Sequence, residues 1–136
     1  MSVPKTEFHI TAHTSNAAVA RHRVRKAAEE HGFPEQALAD IEIAVGEAVA
    51  NAIVYGSPSS SSQITVGYCI TADPCVIHIR VRDHGRGFDP NRLQHEENCD
   101  ALGGRGIRLM RALMDTVRLE YTGEGMMVKL TKRRSD

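Results

Sequence analysis

The chain has 136 residues, 41% hydrophobic and 25% charged, with 17 Lys and Arg balanced by 17 Asp and Glu. That length suits one domain with its own core, and residues 1–136 are expected to form a single unit. A formal net charge of zero argues against a broad nucleic-acid surface, which needs cations in excess. No apolar run is long enough to span a bilayer. The start, Met1 to Phe8, lacks the apolar centre of a signal peptide. Cys69, Cys75 and Cys99 show no metal-ligand spacing, and an odd number of cysteines fits a reducing, cytoplasmic setting.

In chain order, Phe8 to His13 alternates as a short strand does. Ser15 or Asn16 is placed to cap a helix over Ala17 to His31, closed by Gly32. Pro34 opens a long helix to about Tyr55, and Gly56-Ser57-Pro58 with the serines to Ser62 ends it. Two β-rich segments follow, Gln63 to Thr71 and Cys75 to Asp83, joined through Ala72-Asp73-Pro74. Asp89 to Leu102 reads as a polar surface loop, and Gly104 to Met114 as a helix. Strands over Thr116 to Tyr121 and Met126 to Lys132 flank the Gly123-Glu124-Gly125 turn. Strands grouped in pairs predict an α+β fold: a mixed, mostly antiparallel sheet with helices on one face.

Three features carry chemistry. In the strand ending at Asp83, Ile77, Ile79 and Val81 share one face with that carboxylate, while His78, Arg80 and Arg82 take the other. An inward carboxylate needs donors, and a ligand amino group is one candidate. Gly85 and Gly87 beside it let backbone approach a flat ligand; the same residues also read as a plain turn ending a strand. Next, Gly103-Gly104-Arg105-Gly106 runs into a helix whose exposed N–H groups suit phosphate, with Arg105 and Arg108 nearby, although a flexible loop before a helix looks the same. Finally, Leu38, Ile41, Val45, Val49 and Ala52 form a core stripe on the long helix. Glu47 and Asn51, four apart, stack on roughly the opposite side, where they can hold a hydrated Mg²⁺ or simply be solvated. The P-loop, dinucleotide-fold and eukaryotic-type kinase motifs are all missing.

Taken in order, these features resemble the boxes of the Bergerat-fold ATP-binding superfamily, the histidine kinase-like ATPases. Glu47-Ala48-Val49-Ala50-Asn51-Ala52 looks like its N-box, Asp83-His84-Gly85-Arg86-Gly87 its first glycine box, and Gly103-Gly104-Arg105-Gly106 its second. Within the superfamily the chain looks like the bacterial anti-sigma factor serine/threonine kinases, through Glu47 to Gly56 and Gly104 to Asp115. The likeness spans Phe8 to about Thr131.

The resemblance implies that ATP and Mg²⁺ are bound and ADP is the product. Asp83 would read the adenine amino group, Asn51 would carry Mg²⁺, and Glu47 would be the general base. Gly85, Gly87, Phe88, Gly103, Gly104, Arg105 and Gly106 would line the nucleotide, with residues 89–103 as a short lid. A STAS-type anti-sigma factor antagonist would be the substrate, a sigma factor the sequestered partner, and the protein a homodimer with no direct nucleic-acid or membrane contact. The arginines Arg21, Arg23 and Arg25 of the first helix offer an interaction surface, or only a solvated face. A nucleotide-dependent binding switch without phosphotransfer is the alternative function; a detached histidine-kinase catalytic domain lacks the helix pair that would carry a phospho-accepting histidine. The chain departs from the family at the last strand, where Gly125-Met126 stands in place of Gly-Thr.

Overall fold

Residues 5–85 and 104–135 are described by the computed structural model. Strand β1 (Thr6–Thr11) leads into helices α1 (Asn16–Glu30) and α2 (Glu35–Gly56). Strands β2 (Gln63–Thr71) and β3 (Val76–Asp83) follow, then α3 (Gly104–Leu113), β4 (Thr116–Tyr121) and β5 (Met126–Arg133). The five strands form one sheet in the order β1-β2-β3-β5-β4. Every pairing is antiparallel, so the mixed sheet anticipated from sequence is antiparallel throughout. The chain leaves β3, passes through α3, lays β4 on the far edge and returns as β5 between the two.

Alternation decides the faces of the sheet. Along β3, Ile77, Ile79, Val81 and Asp83 are buried while the residues between them are half-exposed. The buried row meets α2, which is covered on its flanks by α1 and α3. Helix α2 is therefore buried over more than a stripe: Ala37, Ala44, Ala48 and Asn51 join Leu38, Ile41, Val45, Val49 and Ala52 inside. The small alanines let neighbouring helices come close, and the apolar arc widens accordingly.

Helix ends are fixed by local chemistry. Ser15 occupies the N-cap position of α1 but makes no side-chain cap bond; its hydroxyl pairs with His13, and Asn16 instead ties back to Thr11. The other end is a Schellman closure: Gly32, at φ +81°, donates to Glu29 and Phe33 donates to Ala28. Arg134 then donates to the His31 carbonyl at 2.8 Å. At the end of α3, Lys132 of β5 donates to the Leu113 carbonyl and pairs with Asp40 of α2 at 3.1 Å. One ammonium thus satisfies a helix C-terminus and joins three elements.

The arginines of α1 are engaged in packing. Arg25 bridges Glu35 at 2.7 Å and Glu42 at 2.8 Å, and Arg23 lies 3.9 Å over the Phe8 ring. Arg21 crosses Gly46, where an added methyl would sit 2.9 Å from its Cδ.

Candidate functional site

Strand β3 delivers Asp83 to the end of α2. Its carboxylate is 2% exposed, so it needs internal donors, and two backbone groups supply them. The Met126 N–H donates to Oδ1 at 3.2 Å, and the Gly85 N–H is the second donor. Burial still pushes the Asp83 carboxyl above its ordinary value, with the two donors and the Arg82 charge opposing. The inward parity read from the sequence is thus realised.

Three glycines close around that carboxylate. A methyl at Gly56 would overlap the Asp83 carboxylate, one at Gly85 would strike the Gly56 carbonyl, and one at Gly125 would strike the Asp83 carbonyl. Only bare backbone permits such an approach. Sequence reasoning gave Gly56 no part in this contact and saw Met126 only as a replaced side chain. Its contribution is a main-chain donor, and the signal lay in register: pairing Arg82 with Met127 sets Met126 beside Asp83.

Glu47 and Asn51 lie elsewhere than the solvated face expected for them. Asn51 is buried at 7% exposure and Glu47 is half-buried. Both are covered by the first turn of α3: a methyl on Gly106 would lie 2.8 Å from Glu47 Oε2 and 3.6 Å from Asn51 Oδ1. The bare Gly106 lets the first turn of α3 lie directly against the carboxylate and the amide. Gly104 begins that helix and Arg105 is exposed on it. From Glu47 to Gly56 the helix rises about 14 Å, so the carboxylate–amide pair and Asp83 are set along the C-terminal half of α2. Gly87, Phe88, Gly103 and the lid over 89–103 lie outside the described residues.

His84 leaves on the opposite side. Its Nε2 is 2.8 Å from the Thr65 hydroxyl, which is also 3.0 Å from His9 Nδ1. Burial, then the charges of Arg82 and His9, pull the His84 imidazole below its usual value.

A buried carboxylate at the C-terminus of α2, an acid–amide pair earlier on the same helix and a glycine in the first turn of α3 against that pair are thus brought together. The histidine kinase-like ATPase domain family matches residues 10–132. This chain belongs to that family. The serine-protein kinase RsbW of Listeria monocytogenes serotype 4a is 30% identical to this ATPase domain, over 94% of this chain and 86% of its own. The anti-sigma F factor of Thermoanaerobacter sp. strain X514 is also 30% identical, over 93% and 91% respectively. A crystal structure of the RsbU and RsbW domains of a Mycobacterium tuberculosis protein shares the fold with a TM-score of 0.74 at 24% identity. It covers 98% of this chain, which spans 33% of that longer protein. No helix among the described residues is long and apolar enough to cross a membrane.

Proposed function

We propose that this chain is an ATP-dependent serine/threonine protein kinase that also acts as an anti-sigma factor, in a partner-switching pair with a STAS-type antagonist. The observation that carries the reading is the Asp83 carboxylate, buried and held by main-chain donors at the C-terminus of a helix that also presents Glu47 and Asn51 under Gly106. The relatives named serine-protein kinase and anti-sigma F factor support it.

In this reading Asp83 accepts a hydrogen bond from the adenine amino group, and the close approach at Gly56, Gly85 and Gly125 admits the flat base. Gly104 and Gly106 leave the N–H groups of α3 open to the phosphates, and Arg105 adds charge. Gly87, Phe88 and Gly103 keep the nucleotide contacts, and 89–103 the lid role, that the family resemblance implies. The Asn51 amide oxygen is the ligand on this chain for Mg²⁺, whose chemistry when bound is to neutralise phosphate charge. Glu47 takes the proton of the partner's serine or threonine hydroxyl as that oxygen bonds to the γ-phosphorus. The bond from that phosphorus to the β,γ-bridging oxygen breaks, and ADP leaves. The substrate is an anti-sigma factor antagonist, a sigma factor is the sequestered partner, and the protein works as a cytoplasmic homodimer.

Incubation with labelled ATP, Mg²⁺ and a STAS-type antagonist tests this. Phosphate on the antagonist's serine or threonine, lost in Glu47→Gln while nucleotide still binds, is the expected result. Binding of ATP without any transfer by the wild type would favour the alternative of a nucleotide-dependent binding switch. The buried Met126 in the place of a family threonine is the observation on that side.

A further inference from the structure

On the sheet face away from the helices, β1, β2 and β3 turn their half-exposed residues outward and enclose a groove of about 320 Å³. Lys5, His9, Arg80, Arg82 and His84 line it, together with Glu7. Its cations are poorly neutralised. Glu7 is shared between Lys5 at 3.4 Å and Arg80 at 3.8 Å, and among the described residues Arg82 pairs with Glu124, at 3.6 Å with that glutamate 80% exposed. Three permanent cations therefore face two stretched carboxylates, before either histidine takes a proton.

A second observation is independent of that inventory. The Nε of Arg82 is a buried nitrogen with no hydrogen-bond partner among the described residues. A guanidinium N–H left unpaired away from water is costly, so the one-third-exposed Arg82 head gains by turning its donors toward an oxyanion in the groove. Gly67 opens the floor: a methyl there would come within 2.8 Å of Arg80 Nη2 and 3.2 Å of Glu7 Cγ, so the bare backbone lets the Arg80 head lie flat across the strand. Burial first, and then the charges of Arg82 and His9, depress the His84 imidazole at the rim of the groove, with Glu124 opposing.

We propose that this groove is a second, anion-binding site, distinct from the nucleotide cleft, that takes a phosphate group, either free or carried as a phosphomonoester. Arg82 and Arg80 ligate the oxygens, and His84 and His9, joined through Thr65, supply further donors when protonated. The site lies on the face opposite Asp83 and does not depend on the nucleotide reading.

The test uses the whole chain without nucleotide, following the imidazole signals of His84 and His9 by NMR as inorganic phosphate is added against chloride at matched ionic strength. Saturable shifts of both signals are expected, with the His84 titration moving to higher pH. Arg82→Gln should weaken the binding about tenfold by removing the charge and the Nε donor, and Arg82→Lys should restore part of it. Amide dispersion checks that each variant is folded. A parallel titration with phosphoserine separates the two sources, the tighter ligand naming the physiological one. The proposal fails if neither imidazole responds, if chloride gives the same response, or if folded Arg82→Gln binds phosphate as well as the wild type.

Discussion

Replacing Gly106 with alanine should separate the stability of this domain from its activity. The new Cβ would sit 2.8 Å from Glu47 Oε2 and 3.5 Å from Asn51 Nδ2. A carbon–oxygen contact that short is not sustained, but the carboxylate is the far end of a flexible, half-buried side chain and can swing aside. The backbone therefore has no reason to move. Within α3, alanine in place of glycine is favourable by about 0.5–1 kcal/mol, which for a domain of this size raises the Tm by about 2–4 °C. Catalysis should respond the other way. A positioned general base contributes roughly 10²–10⁴ in rate, so a displaced Glu47 should slow phosphoryl transfer by about 10²-fold, with nucleotide affinity at the Asp83 end preserved. Single-turnover transfer from labelled ATP, calorimetric ADP binding and a thermal melt on the same preparation read all three. Wild-type transfer with a raised Tm would refute the placement of Glu47 as the base beneath Gly106. Loss of stability together with activity would refute the claim that the clash is absorbed by one side chain.

Three other outcomes follow from the same geometry. Asp83→Asn should weaken ADP binding about 10- to 100-fold, because one amide oxygen cannot accept from both main-chain donors and the adenine amino group; calorimetry measures it. For the wild type, the folded Asp83 carboxyl lies above its unfolded value of 3.8, so the native state binds the extra proton. Stability from this group therefore rises as pH falls through the folded value toward 3.8 and is lost as pH rises again; the effect should be missing from Asp83→Asn and appear in the wild-type minus Asp83→Asn difference of denaturant midpoints in that window. Lys132→Met should cost about 2 kcal/mol in urea unfolding, since it removes the cation from the largely buried Asp40 carboxylate, which keeps only the Gln36 donor among the described residues, and leaves the last carbonyl of α3 without this donor; an unchanged midpoint would sink that account. Gly125→Ala drives a methyl onto the Asp83 carbonyl, where backbone must shift, and should lose about 1–3 kcal/mol of stability along with nucleotide affinity.

The strand and helix succession was legible because it rests on local signals. Alternation marked β3, and the Gly32 and Gly56 stops bounded α1 and α2 within a residue or two. Strand parity alone sent Asp83 inward, and the structure buries it. What single-sequence reasoning missed is long-range. Glu47 and Asn51 were set opposite the core stripe, yet α3 covers that side as well; Ala44 and Ala48 next to them were the hint that a second helix packs closely there. The donor from Met126 could not be read at all, because it belongs to the main chain and is placed by the register of β5 against β3. Nor could the fate of the α1 arginines, which depends on which acids of α2 and which ring of β1 they meet in space.

Strand β5 has an anchor at each end. Met126 holds the Asp83 carboxylate, and six residues on, about 20 Å away along an extended strand, Lys132 holds the last carbonyl of α3 and the flank of α2. Extended backbone flanked by partners on both sides does not stretch, so the strand behaves as a tie-rod. Its two ends tie the buried Asp83 carboxylate to the C-terminus of the helix whose first turn covers Glu47 and Asn51, so one strand sets the spacing between those two groups.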